Sequence, residues 1–270
     1  ETGAGLLGLE THGDLRLTAV QAPNGFQAIK TGRMAALGFN RRVQHAYRYQ
    51  AGADATLRLQ VKHQSARVKT RAVGLATIGP RQVEADFELT YDVTRAGTKR
   101  LYFLAARTLG RQVDVTVPEP YRVTARTTVE PGADTAAVAD SLAEDYDLWQ
   151  LQFDRDVHGA VPVSIRYRTP QKALHAPDDA GDRARRYGLP LVRPAGGQGR
   201  TDEVLAVQAA ADIHLTLAPR GTTALDAAHL PRLPGIARRV LAAYRLQPAD
   251  AAGLDFGVRA HEQYPVPSVL

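Results

Sequence analysis

Residues 85–93 read Ala-Asp-Phe-Glu-Leu-Thr-Tyr-Asp-Val, an unbroken alternation of apolar and polar side chains. Successive side chains of an extended chain point to opposite faces, so this stretch reads as a strand with one face in a core and the other in water. The same period recurs at Asp14–Val20 and Thr56–Lys62, and further strands are read at Leu101–Leu104, Val113–Val117, Arg122–Ala125, Leu148–Phe153, Val161–Tyr167, Val204–Val207, Ile213–Leu217 and Leu254–Val258. Gly and Pro punctuate these runs at roughly ten-residue spacing, the cadence of antiparallel sandwich strands and not of βαβ units. Arg95-Ala96-Gly97-Thr98 reads as a turn between two of them. Helix is expected only at 134–144, capped by Asp134, and in a turn within 226–240 that Pro231 and Pro234 interrupt. The fold class that follows is all-β, with antiparallel β-sandwich units in tandem and little helix.

The chain also repeats itself. Residues 41–54, RRVQHAYRYQAGAD, match residues 238–250, RRVLAAYRLQPAD. Ala19–Ala22 matches Ala206–Ala209, Ala36-Leu37 matches Ala224-Leu225, and His63-Gln64 matches His261-Glu262. A repeat of this size implies copies of one domain-sized unit. Residues 4–172 are therefore read as one sandwich unit and 204–270 as a partial second unit repeating 19–64. The Pro-, Gly- and charge-rich stretch 173–203 between them reads as a linker, with Tyr187–Val192 as an edge strand inside it. Near-identical neighbours can exchange strands, and a truncated repeat exposes an edge, so self-association through the partial unit is expected.

Composition narrows the class. A hydrophobic content of 44% suffices for a core, and 23% charged residues excludes global disorder. The formal charge of +6 comes from Arg, but acidic residues are interleaved with it, so no specific nucleic-acid partner is implied. There is no Cys, which removes disulfides, thiolate metal sites and Cys nucleophiles and fits a bacterial cytoplasmic or envelope protein. No apolar run is long enough to span a membrane as a helix. Glu1-Thr2-Gly3 resembles the scar left by a secretion vector, which points to a piece of a larger exported protein.

Catalytic signatures are sparse. There is no phosphate loop and no GxSxG elbow, and Gly196–Arg200 reads as flexible linker. The eight His have no metal-ligand spacing, and Asp178–Asp182 lacks the ligand pattern of a calcium loop. No cofactor and no metal are expected. Glu144, Asp145 and Asp147 on one side of Trp149, with Asp154 and Asp156 on the other, offer carboxylates of the kind that hydrolases pair. The repeated Ala-Tyr-Arg is the stronger signal. Its Tyr and Arg alternate across a strand, and aromatic faces with guanidiniums can hold sugars or anions. Tyr47, Arg48, Tyr49, Trp149, Tyr244 and Arg245 are the candidate ligand-binding residues.

The order Ala46-Tyr47-Arg48-Tyr49, then Leu57–Val61, then Phe87–Val93, then Ala96-Gly97-Thr98 leading into Leu101–Leu104 resembles tandem β-sandwich repeat units of large predicted envelope proteins of Gram-negative bacteria. The resemblance implies an exported, multi-domain structural or binding protein in the periplasm or at the cell surface. It supplies no catalytic residues. Three functions remain open: a non-enzymatic adhesion or scaffold module, a polysaccharide-binding module attached to a carbohydrate-active protein, and a carboxylate-dependent hydrolase. Polysaccharide or another envelope protein is the expected partner.

Overall fold

The computed structural model describes residues 4–11, 14–21, 25–36, 38, 43–50, 57–130, 145–171, 186–197, 202–210, 213–226, 230, 240–247 and 253–260. Of these, 74% lie in strands and 5% in helical turns, so the chain is all-β, with β-sandwich-like character. In chain order the elements are β1 (Ala4–Leu9), β2 (Leu15–Gln21), β3 (Phe26–Ile29), a short helix α1 (Thr31–Ala36), β4 (His45–Gln50), β5 (Arg58–His63), β6 (Arg67–Ile78), β7 (Gln82–Ala106), β8 (Asp114–Thr116), β9 (Val123–Thr128), β10 (Tyr146–Pro170), β11 (Arg186–Gly188), β12 (Val192–Ala195), β13 (Asp202–Ala209), β14 (Ile213–Arg220), β15 (Thr222–Leu225), β16 (Val240–Leu246) and β17 (Gly253–Ala260). The helix expected at 134–144 lies outside the described residues.

The chain divides into two compact units, 1–67 with 94–97, and 68–93 with 98–270. The division therefore falls near residue 67 and not near 172. The reason is the length of the central strands. β7 and β10 pair antiparallel from Gln82↔Pro170 to Ala106↔Tyr146, so the alternating runs 85–93 and 101–104 are parts of one strand and not hairpin partners. Between Val93↔Gly159 and Thr98↔Val157 the register shifts, and Thr94–Gly97 bulge out of the ladder. The turn signal there is real in its local effect: Arg95 has φ 69°, the left-handed region that non-glycine residues seldom enter. It bends one strand without reversing it.

Alternation then does the sorting. Val83, Ala85, Phe87, Leu89, Tyr91 and Val93 of β7 are buried, as are Val161, Val163, Ile165 and Tyr167 of β10. Each large apolar side chain so buried contributes about 1.5–3 kcal/mol. The two phenols in this core are satisfied, Tyr91 donating to the Tyr102 carbonyl at 2.6 Å and Tyr167 to the Pro190 carbonyl at 2.5 Å. Burial raises both above the ordinary tyrosine range, so both stay neutral donors.

The larger sheet runs β15-β16-β13-β6-β7-β10-β8, with β12 on β7 and β9 on β10. The purely antiparallel expectation needs one correction, because β13 pairs parallel with β6. A parallel partner requires a long crossover, and here more than a hundred residues separate the two strands. Within the stretch 173–203, the described residues 186–197 depart from the linker reading. Leu189, Leu191, Val192, Arg193 and Ala195 are all buried, and β12 is hydrogen-bonded to β7. Its Pro and Gly content disguised a core segment too short to show a period.

The first unit contains the sheet β1-β4-β3 and the pair β2-β5. The last five strands of the second unit follow the same order, with β16 between β13 and β15 and with β14 on β17. Leu7 and Ala28 flank Tyr47 in register, and Leu205 and Ala224 flank Tyr244. Strand β1 thus stands where β13 stands. The textual match of Ala19–Ala22 to Ala206–Ala209 does not follow this pairing, nor does Ala36, which ends a helix where Ala224 lies in a strand.

Within the second unit a buried ion pair joins β12 to β13. Arg193 is 2% exposed and Glu203 4%. The guanidinium grips the carboxylate with two bonds, of 2.7 and 3.0 Å, and also donates to the Gln247 carbonyl at 3.0 Å. Removing one partner strands the other charge in the core, which costs about 3–5 kcal/mol, whereas replacing both with apolar side chains of similar size is often neutral. Urea denaturation will therefore show Glu203→Leu destabilised by about 3–5 kcal/mol and the Arg193→Met/Glu203→Leu double variant recovering most of that loss. A double variant as unstable as the single one would mean that the pair is not what holds the two strands.

Candidate functional site

The six sequence-predicted residues fall into two groups. Tyr47, Arg48 and Tyr49 lie on β4 of the first unit; Trp149 on β10 and Tyr244 and Arg245 on β16 belong to the second. The pleat turns the Tyr of each Ala-Tyr-Arg inward and the Arg outward. Tyr47 and Tyr244 are 7% and 9% exposed, and Arg48 and Arg245 face solvent. Arg245 pairs with Asp202 at 3.3 Å. Tyr49, two residues from Tyr47 and on the same face, is half-buried over Gly5, where a Cβ would overlap its ring. Phe26 meets Tyr47 edge-on at 6.1 Å and Tyr49 at a tilt at 5.9 Å. These three rings make a small core cluster.

Trp149 is 4% exposed. It stacks on its cross-strand partner Phe103 at 6.0 Å, and the Arg126 guanidinium lies 5.3 Å from its ring centre. Arg126 is itself fixed by donating to the Val113 carbonyl. The cation and the two rings form a closed stack, so the Trp149 face has no area left for a sugar. Of the expected platform Tyr47, Arg48, Tyr49, Trp149, Tyr244 and Arg245, packing has absorbed Tyr47, Trp149 and Tyr244, Tyr49 is half-buried, and Arg48 and Arg245 are exposed.

Two concavities carry charge. In the second unit a groove of about 640 Å³ is lined by Leu75, Thr77, Glu84, Asp86, Asp114, Arg166 and Arg168 among others. Four of its five charges are matched across the strands, Arg166 to Asp86 and Arg168 to Glu84, each at 2.7 Å, and Asp114 is the fifth. Ser164 adds a bond to Asp86 at 3.2 Å. Exposed pairs of this kind contribute little to stability, about 0–1 kcal/mol each, but they leave these guanidiniums already engaged.

The cavity in the first unit has the opposite character. It encloses about 630 Å³ and is lined by Arg16, Leu17, Thr18, Gln44, His45, Tyr47, Gln64 and Arg95. No carboxylate lines it. Among the described residues neither Arg16 nor Arg95 has an acidic partner within ion-pair distance. Strand β2 places Arg16 and Thr18 on one side, and the residues around the start of β4 supply Gln44, His45 and Tyr47. Arg95 arrives from the bulge in β7, in its left-handed conformation, with Ala96 buried beside it and Thr94 bonded to the Arg67 carbonyl at 3.2 Å. The acid nearest in sequence, Asp14, is engaged elsewhere: the His63 imidazole bonds it at 2.8 Å and holds its carboxyl below the usual range. Arg16 carries no site signature in the sequence and Arg95 reads as part of a turn; only the fold brings them to one cavity.

The hydrolase candidates separate. Asp147 pairs with Arg107 at 3.3 Å. Asp154 lies further along the same strand, beyond the start of the register shift, so the two carboxylates are about 20 Å apart by strand rise. Paired glycosidase carboxylates stand within about 10 Å of each other. The acidic stretch 178–182 and most of Gly196–Arg200 lie outside the described residues. Among the described residues no group of three or more His, Asp or Glu side chains is placed to hold a metal ion, and no helix is long and apolar enough to cross a membrane.

No protein-family model and no curated protein matches the chain. Among solved structures it is similar to an M1 zinc metallopeptidase from Deinococcus radiodurans, with 12% identity over 72% of this chain and 43% of that one, at a TM-score of 0.34. It is similar as well to yeast LTA4 hydrolase, with 9% identity over 71% of this chain and 29% of that one, also at 0.34. The chain thus spans less than half the length of either. At such scores the likeness assigns neither a fold family nor an activity.

Trp149 is the only tryptophan and reports on this arrangement directly. Its stacked, 4% exposed ring will emit at the short-wavelength end of the tryptophan range and resist iodide quenching until the chain is denatured. Ready quenching in the folded chain would mean that the stack with Phe103 and Arg126 is open and that Trp149 is available to ligands.

Proposed function

We propose that this chain is a non-enzymatic structural, adhesion or scaffold module of a multi-domain protein exported to the bacterial periplasm or surface, built on a five-stranded unit that it holds twice. The observation that supports this reading is the strand order and register shared by β1–β5 and β13–β17. Chains made of repeated units work through the surfaces that repetition lines up. The wide separation of Asp147 and Asp154 and the cross-strand neutralisation of Glu84, Asp86, Arg166 and Arg168 also favour a surface over a reaction centre. Its proposed partners are a polysaccharide or another envelope protein, with self-association through the repeated unit as a further route.

A second reading, a polysaccharide-binding module, is favoured by one observation: the cavity of about 630 Å³ that gathers Arg16, Arg95 and His45 without a lining carboxylate. Its size lies in the range of ligand sites. Guanidiniums suit the carboxylate, sulfate or phosphate of an acidic sugar, and the Gln44 and Gln64 amides suit its hydroxyls.

An array of glycans and bacterial envelope polymers, probed with the purified chain at low and high salt, separates the two readings. The binding-module reading expects selective attachment to an acidic glycan that persists at high salt and weakens about tenfold in Arg16→Gln and in Arg95→Gln. Arg168→Gln, with the same change of charge in the other groove, will leave it unaltered. Equal weakening in all three variants, or attachment that vanishes at high salt, would reduce it to a general attraction of Arg for anions. No attachment at either salt removes the binding reading and leaves the scaffold one.

A further inference from the structure

We propose that the open edge of β1 is a docking site for an extended polypeptide strand with the chemistry of β6, bound parallel to β1 and supplied by another unit of the same kind. The proposal rests on the reading that β1–β5 and β13–β17 are equivalent, and it follows from a difference in how their outer strands are covered.

In the second unit, β13 does not end the sheet. Strand β6 lies along it in parallel, with Val73 opposite Val204 and Gly74 opposite Leu205. The glycine is needed there, because a Cβ would come 2.6 Å from the Phe87 ring and 3.2 Å from Leu205. Strand β17 is covered in turn by β11, with the Tyr187 ring 5.5 Å from Phe256 and the Leu189 amide bonded to the Leu254 carbonyl at 2.8 Å. In the first unit neither cover exists among the described residues: β1 pairs only with β4, and β5 only with β2.

The apolar surface records the difference. Large apolar side chains exposed among the described residues are Leu6 at 39%, Leu59 at 46%, Val61 at 45% and Leu241 at 53%. Three of these four lie on β1 and β5. Leu6 faces Arg48 across the ladder as Val204 faces Arg245, yet Val204 is 8% exposed. On β5 Leu59 and Val61 are bare, whereas on β17, beside β11, Phe256 is 1% exposed and Val258 half-buried. Leu6 and Val204 are apolar at matched positions, and only Val204 is covered. An uncovered strand edge is a template for a further strand. The occupant that fits has a small residue opposite Leu7, as Gly74 stands opposite Leu205, and a β-branched residue opposite Leu6, as Val73 stands opposite Val204.

The chain has no cysteine, so a single introduced thiol reports register without interference. The test uses the full chain carrying Leu6→Cys and two synthetic peptides of residues 67–78, one with Val73→Cys and one with Ile78→Cys. Parallel docking in the β13–β6 register will form the mixed disulfide about tenfold faster with the Val73→Cys peptide, because the other thiol lies about 16 Å away along the strand. The unmodified peptide will slow amide exchange in residues 4–9, and a scrambled peptide will not. Equal rates for the two thiols, or no protection of residues 4–9, overturns the docking proposal. The equivalence it rests on is judged separately by exchange in the chain alone. If β4 exchanges as an edge strand and not as a central one like β16, that reading falls whatever the peptide does.

Discussion

The ladder between β7 and β10 is the constraint from which most of this structure follows. Twenty-five residues on each side alternate between two faces, and a slip of one residue would exchange the faces of every side chain beyond it. Phe87, Tyr91, Val161 and Ile165 therefore fix the register together, and no single contact has to. The other face inherits its pattern from the same register. Arg166 meets Asp86 and Arg168 meets Glu84 because the strands bring those positions opposite each other, which pairs four of the five charges lining the groove over them. Where the ladder does slip, at Thr94–Gly97, the surplus residues leave it and carry Arg95 to the first unit's cavity.

The period of two made the long strands legible. Residues 15–20, 58–62, the runs within 85–104 and the runs within 148–167 lie in strands, and in β7 and β10 the alternation is sorted by faces that see different environments. Strands β6 and β12 escaped the pattern for the opposite reason. From Ala72 to Ala76 every residue of β6 is buried, and so is the whole of β12, so neither stretch has a polar face to alternate with. In β12 the misreading was compounded by Arg193, a charge that suggested solvent and is in fact paired inside the core. Composition marks a buried ion pair and an exposed charge identically; only the partner, ten residues on in Glu203, distinguishes them.

The candidate site was less legible than the fold. The Ala-Tyr-Arg pairs were visible as repeated text, and the pleat then decided which of the two side chains was free. It buried Tyr47 and Tyr244, so the sequence signal marked the core of the five-stranded unit and not its binding face. Arg16 and Arg95 carry no local signature. They come from strands far apart in the chain, and their common property, the lack of an acidic partner, is a fact about surroundings that a string of residues does not contain.

The two sets of five strands pair in the same order, yet β13 is a central strand and β1 an edge, and Val204 is buried where Leu6 is exposed. At about 25 cal/mol for each Å² of apolar surface withdrawn from water, leaving such side chains uncovered forgoes stabilisation that the second unit obtains from β6 and β11.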